Sequence, residues 1–175
     1  TNIEKDGIKI QTSEHVLAAL VGLDIDNCFI QINGPEPPIM DGSSKFFVEA
    51  LELAGIKEQG SLREEFVVNE LISYRDDSTG SEITLIPSDE YQVTTMVDFG
   101  TKILGTQNAS LSKLSNFKEE ISSARTFSFL HELEGLLDNG LIKGGDLNNA
   151  IVYVDTPPSK LSMDKLKKAF KKDKL

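Results

Sequence analysis

The sequence contains few of the residue types that build metal sites or cross-link small folds. Its 175 residues include one cysteine, two histidines and no tryptophan. The single cysteine, Cys28, excludes a disulfide within the chain and a cysteine-rich zinc module. The histidines, His15 and His131, are too few for a metal site built from several histidines of this chain. The longest nearly apolar run, residues 16–23, is far shorter than the ~20 residues that a membrane helix needs.

Basic residues are outnumbered as well. The chain has 18 Lys and Arg against 28 Asp and Glu, a formal net charge of −10. This balance argues against nonspecific nucleic-acid binding, because phosphates attract basic surfaces. The first residues are not a signal peptide, since no apolar segment follows a basic start, and the single thiol favours the cytoplasm. Because the first residue is not methionine, we expect the chain to begin within a longer protein or after processing.

Hydrophobic periodicity and turn residues predict an α+β fold. Strands are expected at residues 7–10, 27–32, 66–74, 82–86, 91–99 and 150–154. Helices, several with a Ser or Thr cap and a glycine stop, are expected at 15–20, 45–54, 116–123, 129–137 and 162–172. The polar segment 56–65 indicates a linker. We therefore expect two units, residues 1–58 and 59–175, each with a sheet and two helices.

Glu14 and His15 stand side by side in the first turn of the first predicted helix. Neighbours on a helix point ~100° apart, so a metal held by His15 would lie beside Glu14 without being bound by it. A metal hydrolase uses one residue to bind the ion and another to take a proton from bound water. In the structural alternative, Glu14 only favours the helix dipole and His15 is a surface or core histidine. His131, with no second motif near it, is interpreted as a surface or structural residue.

Three loops are further candidates, each with a structural alternative. Residues 34–42, which we call the proline loop, contain three prolines. The segment 37–44, which leads from this loop into a helix, can wall a site, or it is a proline turn followed by a helix cap. The Thr126 hydroxyl can donate to an oxyanion, or it caps the following helix while Arg125 pairs with an acidic surface. The glycines at 144 and 145 can admit a ligand close to the backbone, or they form a turn before the strand at 150.

Taken together and in order, these segments resemble the UDP-3-O-acyl-N-acetylglucosamine deacetylases. The matching segments are residues 12–27, 38–44, 124–127, and 140–145 with 150–152. That family performs the zinc-dependent committed step of lipid A (lipopolysaccharide) biosynthesis in Gram-negative bacteria. The chain also looks like the Bacteroidetes form, in which the deacetylase is fused to a 3-hydroxyacyl-carrier-protein dehydratase. The resemblance covers nearly the whole chain.

The resemblance implies a fold, a substrate and a set of roles. The fold is two α+β units, each a sheet covered by two helices, with the helices packed inside. The substrate is UDP-3-O-acyl-N-acetylglucosamine, whose acetamide is hydrolysed. Glu14 matches the general base, His15 a zinc ligand, and Thr126 the residue that hydrogen-bonds the oxyanion. The matching substrate-binding positions, most of them along the acyl-chain passage, are Phe127, Leu133, Ile142, Gly145, Leu147 and Val152.

Part of the family pattern has no counterpart in these 175 residues. The other two zinc ligands, in a His-Lys-x-x-x-Asp helix, a later catalytic His and the opening elements of the first unit are missing. We therefore interpret the chain as a segment of a longer enzyme. Because a zinc site needs three protein ligands and water, we expect the segment alone to hold zinc weakly and to be inactive. Uncovered sheet edges lead us to expect a dimer.

A second hypothesis belongs to a different functional class. In it the chain is a non-catalytic α+β domain that binds or interacts with a partner. The incomplete metal set and the acidic composition motivate this hypothesis. The two hypotheses are distinguished by whether a His-Lys-x-x-x-Asp motif follows in the longer sequence.

Overall fold

The computed structural model describes residues 1–140, 142 and 145–172. In this part of the chain, helices and short strands are mixed along the sequence, which confirms the predicted α+β class. The helices are α1 (Glu14–Gly22), α2 (Lys45–Ala54), α3 (Phe117–Glu120), α4 (Leu130–Asp138) and α5 (Lys160–Phe170). A short 3-10 helix, Leu114–Asn116, precedes α3. The strands are β1 (Ile3–Lys5), β2 (Ile8–Ile10), β3 (Ile72–Arg75), β4 (Glu82–Leu85), β5 (Val93–Asp98), β6 (Thr106–Leu111), β7 (Phe127–Phe129) and β8 (Ile151–Tyr153).

The strands of the described residues pair as four separate two-stranded ladders. Three are antiparallel hairpins, formed by β1–β2, β3–β4 and β5–β6. The fourth is parallel and places Phe127 opposite Ile151 and Phe129 opposite Tyr153. Parallel strands need a crossover connection, and α4 lies within that connection. The sheets are thus smaller than the resemblance implied, and the division into residues 1–58 and 59–175 stays a prediction.

The main hydrophobic core forms where α1 and α2 meet β6 and α3. Ala19, Val48, Leu111 and Phe117 are buried there as one cluster. A β-carbon on Gly22, the last residue of α1, would lie 2.0 Å from the Phe117 ring. Glycine at the end of α1 therefore allows α3 to pack closely against it, and this contact fixes α1 against the second half of the chain.

Local signals set the bounds of α2 as the sequence predicts. The Ser43 hydroxyl accepts a hydrogen bond from the Lys45 N–H at 3.2 Å, which satisfies one of the free donors at the helix start. Gly55 ends the helix with a φ of 85°, a conformation that glycine adopts without steric cost. Its N–H donates to the Leu51 and Glu52 carbonyl oxygens.

Several strand predictions differ from the structure. Residues 27–32 form no strand, and Phe29 is 90% exposed, because no strand of the described chain lies beside them. Three strands were not predicted: β1 and β7, which have only three residues each, and β6, whose residues are mostly polar. The strand predicted at 66–74 is formed only over Ile72–Arg75. The strand predicted as buried at 150–154 is β8, in which Ile151 is 38% exposed.

The predicted linker has no helix or strand between residues 56 and 65. It is nevertheless attached to the residues that follow α1. Arg63 lies 2.8 Å from Asp24 Oδ1 and 2.6 Å from Asp26 Oδ1, and all three side chains are largely exposed. The linker therefore folds back along the end of α1.

The protein exposes much apolar surface. Its accessible surface is 13500 Å², against roughly 8,400 Å² for a typical folded monomer of this mass. The β3–β4 hairpin contributes strongly, since Tyr74 and Ile83 are 68% and 61% exposed. None of the helices that the structure describes is long and apolar enough to cross a bilayer.

Candidate functional site

The N-terminus of α1 carries the two residues on which the metal-hydrolase prediction rests. Glu14 is the first residue of α1 and His15 the second, and both are half-buried. Ser13 occupies the predicted cap position, but its side chain makes no capping hydrogen bond. Its hydroxyl is buried without a hydrogen-bond partner among the described residues. Glu14 is therefore the anionic group that the helix dipole favours at this end.

The Glu14 carboxylate has positively charged and hydrogen-bonding neighbours. The Thr1 nitrogen donates a hydrogen bond to Glu14 Oε2 at 2.8 Å. Burial acts to raise the pKa of Glu14, whereas a hydrogen bond from the backbone and the charge of His15 act to lower it. A glutamate is a carboxylate at neutral pH unless its pKa is strongly raised, and the carboxylate is the form that a general base needs.

The proline loop connects the two candidate regions. Near its start, the Thr12 hydroxyl donates to Glu36 Oε2 at 3.0 Å. At its end, the Thr126 N–H donates to the Gly42 carbonyl oxygen at 2.7 Å. The loop therefore runs from the residues just before α1 to the residue just before β7. Its role as the wall of a site stays a prediction.

The bend at the end of this loop requires glycine. Asp41 Oδ1 accepts hydrogen bonds from the N–H and the hydroxyl of Ser43, at 3.1 and 2.7 Å. Gly42 has a φ of 81°, and a β-carbon there would lie 1.9 Å from the Asn149 carbonyl oxygen. Since a backbone oxygen cannot rotate away as a side chain can, the bend and the residues before β8 fit together only without a side chain at position 42.

Thr126 is held by backbone hydrogen bonds on both sides. Besides donating to Gly42, it accepts a hydrogen bond from the Ile151 N–H at 2.9 Å. The alternative in which Thr126 caps the next helix is wrong, because α4 begins at Leu130 with Phe129 as its cap residue, and β7 lies between Thr126 and this helix. Thr126 is an exposed residue.

Arg125 does not pair with an acidic surface, as its structural alternative predicted. Its Nε donates to the Asp41 carbonyl oxygen at 2.7 Å. A terminal guanidinium nitrogen donates to the Asn148 carbonyl oxygen. Arg125 thus binds two backbone carbonyls from distant segments.

The glycine-containing segment leads into a turn. The Asn148 N–H donates to Asp146 Oδ1 at 2.8 Å, and the Asp146 N–H donates to Asn149 Oδ1 at 2.7 Å. A turn at residues 147–149 therefore precedes β8, and the two interpretations of the glycines both stay open. Two residues of the matching motif, Leu141 and Gly144, lie outside the described residues.

The structure does not bring all the predicted acyl-chain positions to one wall. Phe127 and Phe129 share one face of the β7–β8 ladder. Val152 pairs with Ser128 and therefore points to the opposite face, since side chains alternate along a strand. Phe127 and Val152 cannot line the same side of this ladder.

The remaining acyl-chain positions lie in α4 and in the segment after it. Leu133 is 7% exposed and belongs to the core of the described chain. Ile142 and Leu147 are half-buried. A β-carbon on Gly145 would lie 2.5 Å from Ile142 Cγ2, so Gly145 packs closely on Ile142. Their role in binding substrate stays a prediction.

An aromatic cluster beside Thr126 was missed by the sequence analysis. Phe127 makes edge-to-face contacts with Phe99 and Tyr153, with ring centroids 5.3 and 5.6 Å apart. Phe129 joins the same cluster. The alternation of Phe127 and Phe129 was the available signal, because residues two apart share a strand face.

His131 also belongs to this region. Its ring stacks on Phe129 at 5.6 Å, and its Nδ1 lies 2.9 Å from Asp155 Oδ2. This hydrogen bond raises the pKa of His131 and lowers the pKa of Asp155. The placement agrees with the structural interpretation of His131.

A complete metal site is not formed by the residues that the structure describes. Among residues 1–140, 142 and 145–172, no three His, Cys, Asp or Glu side chains are grouped so that they can hold a metal ion. His15 is a single candidate ligand, whereas zinc sites use three or four protein ligands.

Comparison with known proteins confirms the resemblance. The family model described as UDP-3-O-acyl N-acetylglycosamine deacetylase (LpxC) matches residues 1–168. Over 166 residues the chain is 45% identical to the bifunctional enzyme LpxC/FabZ of Bacteroides thetaiotaomicron, a match covering 95% of this chain and 36% of that protein.

Two further relatives give the same result. The bifunctional enzyme LpxC/FabZ of Chlorobaculum tepidum is 46% identical over 156 residues, which are 89% of this chain and 33% of that protein. The UDP-3-O-acyl-N-acetylglucosamine deacetylase of Nitratidesulfovibrio vulgaris is 42% identical over 155 residues, which are 89% of this chain and 50% of that protein. The chain thus spans between a third and a half of the length of these relatives.

Proposed function

We propose, from the premise that this chain belongs to the UDP-3-O-acyl-N-acetylglucosamine deacetylase family, that it is part of an enzyme for lipid A biosynthesis. The enzyme would hydrolyse the N-acetyl group of UDP-3-O-(3-hydroxyacyl)-N-acetylglucosamine. The activity is proposed for a longer protein, since the chain spans 36% of a bifunctional relative and 50% of a deacetylase relative. The observation that carries the proposal is the proline loop, which is hydrogen-bonded to the segments that hold Glu14 and Thr126.

The proposed reaction assigns one task to each of two residues. A water oxygen adds to the acetamide carbonyl carbon, and the C–N bond then breaks while its nitrogen takes up a proton, which releases acetate and a free amine. Glu14 accepts the proton that the water loses, which its carboxylate form at neutral pH allows. The Thr126 hydroxyl donates a hydrogen bond to the oxygen that becomes negatively charged.

Zinc is proposed as the cofactor, with His15 as one of its ligands. The described residues alone do not fit a complete zinc site, because they contain no group of three suitable side chains. We propose that the other ligands come from sequence outside residues 1–175. No step of the reaction is therefore assigned to the metal from these residues.

The remaining parts of the proposal concern substrate, location and assembly. The acyl chain would contact Leu133, Ile142, Leu147 and Val152, and Phe127 and Gly145 would contact the substrate as well. Since Phe127 and Val152 lie on opposite faces of the β7–β8 ladder, they would touch different parts of the substrate. We propose a cytoplasmic protein that binds no nucleic acid and that associates as a dimer through its exposed apolar surface.

The test uses the longer protein that contains this chain, loaded with zinc, and measures release of acetate from the UDP-linked substrate. Glu14→Gln should lower kcat by about 10²–10⁴-fold, because it removes the general base. Thr126→Val should lower kcat by about 10²–10³-fold, because it removes an oxyanion donor. Glu49→Gln is the matched control, since Glu49 is an exposed residue of α2 whose only described ion pair is with Lys45 at 3.9 Å.

Two results would contradict the proposal. Full activity of both the Glu14 and the Thr126 variants would remove the roles assigned to these residues. No deacetylase activity in the zinc-loaded longer protein would instead favour the non-catalytic binding domain.

A further inference from the structure

Arg125 spans the two segments that lie on either side of Thr126. Its Nε donates to the Asp41 carbonyl oxygen at 2.7 Å, across 84 residues of sequence. A terminal nitrogen of the same guanidinium donates to the Asn148 carbonyl oxygen. We infer that Arg125 is a positioning residue, which holds the Thr126 hydroxyl in place for the reaction. This inference rests on the proposed function, because it gives Arg125 a task only if Thr126 has one.

Arg125 binds the carbonyl oxygens of two residues that directly precede residues close to Thr126. Asp41 precedes Gly42, whose carbonyl oxygen accepts from the Thr126 N–H at 2.7 Å. Asn148 precedes Asn149, whose carbonyl oxygen lies against the Gly42 bend. The guanidinium therefore fixes the bend and the turn relative to each other, and Thr126 lies where the two meet.

The guanidinium is suited to this task in a way that an ammonium is not. Its nitrogens are held in one plane at fixed angles, so two donors can reach two carbonyls in different directions without further ordering. Lysine carries a single charged nitrogen on a flexible chain. A lysine at position 125 would keep the positive charge but not the fixed geometry.

The hydrogen-bond acceptors of Arg125 distinguish a positioning role from a simple ion pair. The groups bound by Arg125 are backbone carbonyls and not carboxylates. Removal of Arg125 therefore leaves two carbonyl oxygens without this donor, but no unpaired charge. We expect the main effect of the change to be a displacement of Thr126, and small displacements of reacting groups reduce rates strongly.

The experiment compares five variants in the zinc-loaded longer enzyme by steady-state deacetylation. Arg125→Ala should lower kcat by about 10–100-fold, with KM changed less than about threefold. Arg125→Lys should not restore the rate, whereas added guanidinium ion should restore part of the Arg125→Ala activity. Arg125→Ala combined with Thr126→Val should be no slower than Thr126→Val alone, because residues that act through one another are not additive. Arg75→Ala is the control, since Arg75 lies in β3 and its only described ion pair is with exposed Asp77.

The outcomes that overturn the inference differ from those that overturn the proposed function. If Thr126→Val is impaired but Arg125→Ala is fully active, or if the double variant shows the product of the two losses, Arg125 does not act through Thr126. If Thr126→Val is fully active, the role proposed for Thr126 is wrong, and the inference falls with it. Should Arg125→Ala not fold, Arg125→Lys gives the answer, since wild-type kcat in that variant would refute the geometric requirement.

Discussion

Replacement of Gly42 by alanine should destabilise the protein more than the same replacement at a turn glycine that has free space around its α-carbon. Gly42 combines two constraints. Its φ of 81° lies in the left-handed region, and its β-carbon would overlap the Asn149 carbonyl oxygen at 1.9 Å. Gly80, in the turn of the β3–β4 hairpin, has a similar φ of 73° but no atom within 4 Å of its β-carbon. The two glycines therefore separate the cost of conformation from the cost of contact.

The expected magnitudes follow from these two constraints. The left-handed conformation costs a residue with a β-carbon ~1–2 kcal/mol, and this cost applies to both alanine variants. At Gly42 the bend must also move away from Asn149, which breaks the hydrogen bond from the Thr126 N–H. A lost backbone hydrogen bond adds ~0.5–1.5 kcal/mol, and displaced packing adds to that. We expect a total of about 3 kcal/mol for Gly42→Ala against about 1–2 kcal/mol for Gly80→Ala.

Urea denaturation followed by circular dichroism measures both losses as changes in the free energy of unfolding. The variants are compared in the same protein and buffer, so that the slope of the transition can be checked for constancy. A loss at Gly42 no larger than the loss at Gly80 would refute the reasoning, because it would mean that the bend does not fit tightly against Asn149.

Three other predictions follow from contacts described above. Gly22→Ala should destabilise the protein despite the ~1 kcal/mol that alanine gains in helix propensity, because its β-carbon would lie 2.0 Å from the Phe117 ring; a stabilised variant in thermal denaturation would contradict this. Asp155→Asn should lower the pKa of His131 measured by NMR, since the hydrogen bond to Asp155 raises it. In the protein with Asp155, the contribution of His131 to stability is present below the unfolded-state pKa of histidine and is lost as pH rises through the raised folded-state pKa. An unchanged His131 titration in Asp155→Asn would show that Asp155 does not raise the pKa of His131. A purified segment of residues 1–175 should bind zinc weakly and be inactive, because His15 is one ligand where three are needed; stoichiometric zinc by metal analysis, together with deacetylase activity, would show otherwise.

The elements that the sequence predicted well are those whose signals are local. The α2 bounds follow from serines at its start and Gly55 at its end, and the structure places the helix at Lys45–Ala54. The β3–β4 hairpin follows from the turn residues between two β-branched and aromatic runs. In both cases the residues that decide the structure lie within a few positions of the element.

Strands that depend on a distant partner were predicted poorly. Residues 27–32 have the composition of a strand, yet no strand of the described chain pairs with them. The reverse holds for β6, whose polar sequence gives little strand signal but which pairs with β5 along six residues. Pairing across a ladder is set by the partner and by burial, which a single sequence does not display.

The sequence indicated which side chains belong to the candidate site, but not the backbone hydrogen bonds that connect them. The adjacency of Glu14 and His15, and the presence of Thr126, can be taken from the sequence together with the family resemblance. The connection between them cannot, because the proline loop reaches Thr126 through a carbonyl oxygen that every residue carries. For the same reason, nothing in the sequence indicated that Arg125 binds two carbonyls.

The long sequence separation of the Arg125 contact has a consequence for the order of folding. The two strands of each hairpin are joined by a short connection, whereas the Arg125–Asp41 hydrogen bond joins residues 84 positions apart. Closing a longer loop costs more chain entropy, and contacts of this kind slow folding. We expect the hairpins to form early and the bend around Gly42 to meet β7 late. A partly folded chain would then retain much of its strand structure while the region that carries Thr126 is still unformed.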